Sequence, residues 1–198
     1  MSGLACGAAI VLYDGSPLKP PSIVLDIAER ERVTLLGLSP QIIEHWMRHA
    51  LEPAASHNLG ALRCIAAGGE PLSVDAAAWV HAHLKADVHL ASPSGGTDIV
   101  SFFVGGHPTA PTYAGQIQSA ALGMAMDVYH DAGRPVRGRP GELVCTRPFP
   151  SMPLGFWGDT DGARMHAAYF ETWPGVWRHG DWAEITPQGG FVIHGRSD

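Results

Sequence analysis

Three short loops rich in glycine, serine and acidic residues carry the side chains with the clearest chemical potential in this sequence. They lie around Ser39, around Gly68–Glu70 and from Ser94 to Asp98, and each follows a segment with the pattern of a β-strand. Thr97 and Asp98 place a hydroxyl beside a carboxylate, which suits a phosphate contact and a Mg²⁺ ligand, respectively. Taken singly, each loop is better explained as an ordinary turn in which glycine supplies a positive φ.

The elements that must position these loops alternate between strand and helix through the first half of the chain. Short apolar runs predict strands at 9–13, 34–38, 62–66 and 88–91. Apolar residues at helical spacing predict helices at 21–33, 41–51 and 74–85. Ser39, Pro40 and Ser73 supply start signals for the last two helices. Strands separated by such helices require parallel crossovers, so we expect a parallel sheet whose carboxyl edge gathers the loops.

After about residue 108 the helical patterns stop, and prolines and glycines break the chain into short apolar runs. Alternating residues predict strands at 124–129 and 142–146, with turns at 131–134 and 187–190 that are typical of antiparallel pairing. The expected fold class is therefore α/β, with a partial parallel sheet and packed helices followed by a β-rich lobe. We expect the divisions of the chain to fall at 1–108, 109–195 and 196–198.

Composition and charge exclude several classes of function. The chain has 198 residues, 13 lysines and arginines against 19 aspartates and glutamates, and a formal net charge of −6. Nucleic-acid and anionic-membrane surfaces need clustered positive charge, which this sequence lacks. The widely spaced Cys6, Cys64 and Cys145 predict reduced thiols in a cytoplasmic protein. The sequence has neither a signal-peptide pattern nor an apolar run of the roughly 20 residues that a membrane span needs.

Three other chemistries fit the residues less well. A hydrolase elbow needs Gly-x-Ser-x-Gly, but the residue two positions before Ser94 is Ser92. The 11 histidines show no metal-binding spacing with carboxylates. Tryptophans could form a stacking platform for single-stranded nucleic acid, but the acidic net charge favours core packing for Trp157, Trp173, Trp177 and Trp182.

Five motifs in a fixed order give the sequence a family resemblance. They are Gly68-Gly69-Glu70-Pro71, Ser94-Gly95-Gly96-Thr97-Asp98, Gly141-Glu142-Leu143, His179-Gly180-Asp181 and Gly195-Arg196-Ser197-Asp198. Together they resemble the adenylate-forming superfamily, which includes acyl-CoA synthetases, luciferases and the adenylation domains of peptide synthetases. The segments 94–99, 145–153, 168–170 and 174–177 are similar, within that superfamily, to the synthetases that activate acetoacetate. The resemblance spans essentially the whole chain.

The resemblance implies a nucleotide site built from the first two motifs. The adenine would lie against the segment Gly68, Gly69, Glu70 and Pro71. The nucleotide would also contact Ser94, Gly95, Gly96 and Thr97, although the family usually has a stacking aromatic residue near the start of this motif. Thr97 would contact the α-phosphate, and Asp98 stands where the family usually has a glutamate that binds Mg²⁺. Thr97 and Asp98 are therefore the predicted catalytic residues.

The later motifs imply the ribose contacts and a hinge. Asp181 would accept the ribose hydroxyls, since an ionised carboxylate can accept from both members of a diol. Arg196 would lie near the ribose and phosphate. Asp198 would be the hinge about which a C-terminal domain rotates between half-reactions.

The implied reaction is an ATP-dependent acid–thiol ligation in fatty acid and lipid metabolism, with ATP, Mg²⁺ and CoA as co-substrates. Acetoacetate or a similar carboxylate would attack the α-phosphate, and the CoA thiolate would then attack the acyl-adenylate. In the family a lysine-containing phosphate loop precedes the matched segment and a C-terminal domain follows it. We therefore expect this chain to correspond to an interior piece that is inactive alone. An inactive remnant, a nucleotide-binding fragment, a ligase for another short-chain carboxylate and a structural interaction module remain as alternatives.

Overall fold

A parallel three-stranded sheet lies at the centre of the first half. The computed structural model describes residues 2–197, so the predicted hinge residue Asp198 lies outside the described residues. The strands, in their order across the sheet, are β1 (Leu35–Leu38), β2 (Cys64–Ala67) and β3 (His89–Ala91). Both pairings are parallel and without register shifts. The parallel sheet and three of its predicted strands are thus confirmed.

Helices connect and flank these strands. They are α1 (Ser2–Ala5), α2 (Ile23–Arg30), α3 (Pro40–Arg48), α4 (Pro53–Ser56) and α5 (Val74–Trp79). α5 runs directly into a π-helical turn of five residues, Val80–Leu84. Pro40 is the first residue of α3, and the Ser73 hydroxyl accepts a 3.1 Å hydrogen bond from the Ala76 backbone N–H. The three predicted helices are confirmed, with α2 ending earlier than expected.

A hydrophobic core joins these helices to the sheet. Leu25 of α2, Trp46 of α3, Val80 of the π-helical turn and Ile65 of β2 are all fully buried. Burial of such apolar surface is the dominant favourable contribution to folding. The apolar spacing that predicted the helices therefore corresponds to the faces that pack in this core.

The predicted strand at 9–13 is wrong, because this segment is irregular and exposed. Ile10, Val11 and Tyr13 keep 45–46% of their surface accessible, and Leu12 keeps 88%. A strand needs a partner backbone to satisfy its N–H and C=O groups as well as an apolar sequence. No strand among residues 2–197 pairs with this segment.

Two antiparallel sheets make up most of the second half. One contains β4 (Ser94–Gly96), β5 (Ser101–Gly105) and β6 (Ser119–Ala120). The other has the order β10-β9-β8-β7 and contains β7 (Met126–Tyr129), β8 (Gly141–Cys145), β9 (Trp177–Ile185) and β10 (Phe191–Arg196). The β-rich lobe and its predicted strands at 124–129 and 142–146 are confirmed.

The smaller antiparallel sheet differs from the expectation in one respect. Residues 94–96, predicted as part of a loop, form β4 and pair with β5. This sheet also takes strands from both sides of residue 108. The division of the chain at that residue stays a prediction.

β10 contains a β-bulge next to the end of the described chain. The register between β10 and β9 shifts at residues 193–195, where β10 has one residue more than its partner. Gly195 in the bulge has a φ of +141°, which favours glycine. Because the extra residue changes the alternation of side chains, Arg196 lies opposite Asp181 in the ladder.

The second half also contains a helix, α6 (Ala163–Tyr169). The prediction that helices stop after about residue 108 is therefore wrong at this position. The Asp159 carboxylate accepts hydrogen bonds from the backbone N–H groups of Arg164 at 3.1 Å and Met165 at 2.9 Å. α6 has seven residues, so it is too short to show a clear helical period in the sequence.

The tryptophans divide between the core and the surface. Trp177 is 2% exposed and packs in an aromatic cluster with Phe103 and Phe149, which confirms core packing there. Trp157 is 99% exposed, and the prediction of core packing is wrong for this residue. Trp182 is 37% exposed because it lies on the outer side of β9.

The structure also bears on the predicted thiols and on the possibility of a membrane-spanning helix. Cys6, Cys64 and Cys145 are free, as predicted. Burial raises the pKa of the Cys64 and Cys145 thiols above the ordinary value. Over residues 2–197, no helix combines the length and apolar character required to cross a membrane.

Gln118 joins the parallel sheet to the antiparallel half. Its side-chain oxygen accepts hydrogen bonds from His89 Nε2 at 2.7 Å and from the His107 backbone N–H at 2.9 Å. Its amide nitrogen donates to the carbonyls of His107 at 3.0 Å and Ala110 at 2.8 Å. These contacts use the two acceptor and two donor positions of the amide. One side chain therefore fixes the segment after β5 against β3.

We expect Gln118→Ala to lower the free energy of unfolding by about 2–3 kcal/mol, because it removes the partners of the partly buried His89 ring nitrogen and Ala110 carbonyl as well as two exposed hydrogen bonds to His107. The control is Gln188→Ala in the exposed turn between β9 and β10, for which we expect a change within about 0.5 kcal/mol. Urea unfolding measures both values. Equal losses in the two variants would show that Gln118 does not join the two halves.

Candidate functional site

The predicted loops meet at one edge of the parallel sheet. β1, β2 and β3 end at Leu38, Ala67 and Ala91, and parallel strands direct their carboxyl ends to the same edge. The Gly68 backbone N–H donates to the Leu38 carbonyl at 3.0 Å. A Cβ on Gly68 would lie 3.4 Å from Pro93, so the loops after β2 and β3 are in close contact.

A cavity of about 490 Å³ opens at this edge, within the size range of small-molecule sites. Its lining includes seven of the predicted site residues, namely Gly69, Glu70, Pro71, Ser94, Gly95, Asp181 and Arg196. Four others, Gly68, Gly96, Thr97 and Asp98, are not part of the lining. The structure therefore brings residues of the first, second, fourth and last motifs to one cavity, although the first and last motifs are more than 100 residues apart in the chain.

Asp181 on β9 is a buried carboxylate in the cavity wall. It is 6% exposed, and its Oδ2 accepts a hydrogen bond of 3.1 Å from the Ser94 hydroxyl. Its Oδ1 lies 3.1 Å from Arg196 Nη1. A buried carboxylate requires such compensation, because loss of hydration penalises its charged form. Asp181 also lines the cavity, and its carboxylate could accept hydrogen bonds from a ligand with hydroxyl groups.

His179 lies two residues before Asp181 on β9 and is buried beside β4. Its Nε2 lies 3.2 Å from the Gly95 carbonyl and 3.7 Å from Asp181 Oδ2. A Cβ on Gly96 would come within 3.1 Å of the His179 ring, so this histidine packs directly under β4. Burial lowers the pKa of His179 below the usual imidazole value, against the opposing influence of the Asp181 charge.

Gly95 leaves no room for a side chain. A Cβ at this position would overlap the Ser101 carbonyl oxygen and Phe102 Cα on β5. The backbone of β5 therefore excludes an aromatic ring at position 95, near the start of the motif in which the family usually has one. Among the residues that line the cavity, Tyr113 from the opposite wall is the one with a Phe, Tyr or Trp ring.

Glu142 on β8, a motif residue without an assigned role in the sequence, holds β9 and the residue that follows β10. Its carboxylate is 5% exposed and accepts hydrogen bonds from the Gly180 backbone N–H at 2.7 Å and the Ser197 hydroxyl at 2.6 Å. Arg178 Nε lies 3.3 Å from Oε2. Gly180 precedes Asp181 and Ser197 follows Arg196, so Glu142 fixes the backbone next to both members of that pair.

Glu70 lines the cavity but directs its carboxylate to a neighbouring helix. Oε1 accepts from the Gln41 backbone N–H at 3.3 Å, and Oε2 accepts from the Gln41 side-chain amide at 3.4 Å. Gln41 is the second residue of α3, where backbone N–H groups have no partner within the helix. Glu70 therefore fixes the Gly68–Pro71 loop against α3, and Gly69 turns within it at a φ of +101°.

Thr97 and Asp98 lie just after β4, outside the cavity lining, and both are exposed. The Tyr169 hydroxyl at the end of α6 donates a hydrogen bond to Asp98 Oδ2. Burial, together with this contact to a carboxylate, raises the pKa of Tyr169 to about 12. The phenol therefore remains a hydrogen-bond donor throughout the physiological pH range.

The oxygen donors near Asp98 fit Mg²⁺ better than a softer metal. Residues 2–197 contain no cluster of three or more His, Cys, Asp or Glu side chains able to hold an ion by themselves. Magnesium at nucleotide sites is commonly held by one or two carboxylates together with substrate phosphates. A single carboxylate such as Asp98 is compatible with that arrangement.

Fold and sequence together define the class of this protein. A family model described as AMP-binding enzyme matches residues 1–157. The chain belongs to this family of AMP-binding enzymes.

Within this family, the chain is similar over its whole length to several acetoacetyl-CoA synthetases. The chain is 54% identical over its whole length to an acetoacetyl-coenzyme A synthetase of Rhizobium meliloti and 46% identical to one of Gallus gallus. It spans about 30% of the length of these curated relatives. The solved acetoacetyl-CoA synthetase of Streptomyces lividans superposes on the whole chain with a TM-score of 0.94 and 46% identity, over 31% of its own chain.

A more distant structure shows the fold alone. The anthranilate CoA ligase AuaEII, solved in complex with anthranoyl-AMP, covers 97% of this chain with a TM-score of 0.80 at 22% identity. The match extends over 35% of the ligase chain. The α/β arrangement is therefore maintained where most of the side chains differ.

We expect the His179 imidazole to titrate below its ordinary pKa of about 6.5. As the pH falls, the unfolded chain therefore takes up this proton at a higher pH than the folded chain does. The contribution of His179 to the free energy of unfolding is complete above about pH 6.5 and is lost as the pH falls through the folded pKa. NMR titration of the His179 resonance, assigned with His179→Gln, measures the shift. The control is the same histidine in urea-unfolded protein; equal midpoints in the two states would contradict the prediction.

Proposed function

We propose that this chain is part of an ATP-dependent acid–thiol ligase that forms an acyl-adenylate and then an acyl-CoA, with acetoacetate as the carboxylate. Family membership and the names of the relatives support the class of reaction and the substrate. The observation that carries the proposal is the buried Asp181 carboxylate on the cavity wall. Its coordination by Ser94 and Arg196 suits a group that must remain charged while it meets a diol.

The nucleotide would occupy the cavity with its adenine against the loop of Gly69, Glu70 and Pro71. Because Gly95 excludes a ring on its own side, Tyr113 is the aromatic residue available to the base. The ribose hydroxyls would donate to Asp181. Arg196 beside it would contact the ribose and phosphate, where its fixed positive charge is favourable.

The phosphates would extend from the cavity toward Thr97 and Asp98. The Thr97 hydroxyl would donate to the α-phosphate, and Asp98 would hold Mg²⁺ together with phosphate oxygens. The ion, when bound, neutralises charge on the phosphates during the displacement. Thr97 and Asp98 would thereby orient the α-phosphorus toward the incoming carboxylate and stabilise the charge that develops there.

The second half-reaction would use CoA, whose thiolate attacks the acyl-adenylate while AMP leaves. Asp198 would serve as the hinge between the two half-reactions, and 1–108, 109–195 and 196–198 would be the structural divisions of the chain. The free Cys6, Cys64 and Cys145 support a cytoplasmic location. Small molecules, rather than nucleic acid, would be the partners, in agreement with the net charge of −6.

We expect Asp181→Asn to weaken binding of AMP about 10- to 100-fold, because the ribose loses a charged acceptor worth about 1.5–3 kcal/mol. Isothermal titration calorimetry of AMP measures the change. The control is Asp87→Asn at the exposed Asp87–Lys85 pair, for which unchanged affinity is expected. Tight AMP binding by Asp181→Asn would remove the observation that carries this proposal.

Ligation itself is tested by acetoacetate-dependent release of pyrophosphate from ATP and Mg²⁺. The assay compares this chain, the whole polypeptide that its gene encodes, and Asp181→Ala in each. Because the chain spans about 30% of its relatives' length, we expect release from the longer polypeptide and loss of release in the variant. Faster pyrophosphate release with another short-chain carboxylate would mean that this carboxylate, and not acetoacetate, is the substrate. AMP binding without any release would favour a nucleotide-binding remnant.

A further inference from the structure

The contact between Tyr169 and Asp98 joins two segments that are 71 residues apart. Tyr169 is the last residue of α6, and Asp98 follows β4. The phenol hydroxyl donates to Oδ2 of the carboxylate, while no hydrogen bond to Oδ1 is seen among residues 2–197. Within the described part of the chain, one carboxylate oxygen is thus held by a donor and the other accepts no hydrogen bond.

A stack of aromatic rings holds Tyr169 in place. Its ring lies parallel to Trp177 with a centroid distance of 3.6 Å and an interplanar angle of 14°. Phe156 contacts the edge of Tyr169 at 6.0 Å. Trp177 is itself buried and packs against Phe149 at 5.4 Å and Phe170 at 5.7 Å. The phenol therefore extends from the core of the β-rich lobe and has little freedom to move.

The same tyrosine lies near the charged pair of the cavity wall. The positive charge of Arg196 acts on the Tyr169 phenol, opposing part of the rise in its pKa. Arg196 is also the partner of Asp181 at 3.1 Å.

We propose that Tyr169 is a positioning residue for Asp98, holding Oδ2 so that Oδ1 is presented to the Mg²⁺ that accompanies ATP. This inference rests on the proposed function, in which Asp98 is the metal ligand. Aspartate is one methylene shorter than the glutamate that the family usually has at this position. A fixed donor on one oxygen restricts the rotation of this short carboxylate and limits it to contact with the ion through the other oxygen.

The test compares Tyr169→Phe, Asp98→Asn and the double variant with the wild-type chain. Tyr129→Phe is the matched control, since Tyr129 also packs against a tryptophan, Trp173, but lies on β7 away from Asp98. Binding of Mn²⁺ in the presence of ATP is measured by electron paramagnetic resonance. Binding of AMP without metal is measured by calorimetry, and thermal unfolding monitors the fold.

We expect Tyr169→Phe to weaken Mn²⁺ binding about 5- to 10-fold and to leave AMP affinity unchanged. The control Tyr129→Phe should bind Mn²⁺ as tightly as the wild-type chain does. Asp98→Asn should weaken Mn²⁺ binding further, and adding Tyr169→Phe to it should have no additional effect. Equal weakening of Mn²⁺ and AMP binding by Tyr169→Phe would indicate a merely structural role and overturn the inference.

The remaining outcomes separate this inference from the proposed function. Full Mn²⁺ binding by Tyr169→Phe, with loss in Asp98→Asn, would overturn the positioning role and leave the metal ligand in place. Full binding by Asp98→Asn, or no ATP-dependent Mn²⁺ binding by the wild type, would overturn both the metal ligand and its positioning. In either case, AMP binding by Asp181→Asn remains an independent test of whether the cavity binds the nucleotide.

Discussion

A buried negative charge on Asp181 is the constraint on which the rest of the site depends. A carboxylate that is 6% exposed has lost most of its contact with water, and other groups must replace the hydrogen bonds that water made to it. Those groups come from separate parts of the chain, with Ser94 on β4 and Arg196 on β10. β4 and β10 must therefore both be in position before this charge is accommodated. The antiparallel lobe thus completes a site that the parallel sheet begins.

Sequence patterns predicted the fold where local periodicity and a tertiary partner agree. Strands at 34–38, 62–66 and 88–91 alternate with amphipathic helices, and their apolar faces meet in one core. The run at 9–13 has the same composition but no partner strand among the described residues. α6 was missed for the opposite reason, because its stability depends on Asp159 and on packing against Trp177 rather than on a long period.

The candidate site was predictable as a set of segments but not as a set of contacts. Motif order and the rule that ligands bind at the carboxyl edge of parallel strands place the loops correctly. The pairs that hold the site are far apart in sequence: 87 residues separate Ser94 from Asp181, and 55 separate Glu142 from Ser197. No local pattern encodes such pairs, since each depends on how two sheets pack. Glu142 and Tyr169 therefore had no assigned role until the strands were assembled.

The β-bulge at residues 193–195 makes the Asp181–Arg196 pair depend on backbone conformation as well as on side-chain chemistry. Side chains on a strand alternate between two faces, so a shift of one residue exchanges inside and outside. The bulge supplies the shift that brings Arg196 opposite Asp181. A regular ladder of the same sequence from Ile193 onward would instead place Gly195 opposite Asp181 and Arg196 opposite Gly180, with the guanidinium on the opposite face of the sheet. A substitution that abolished the bulge would therefore separate the two charges while leaving both residues in the sequence.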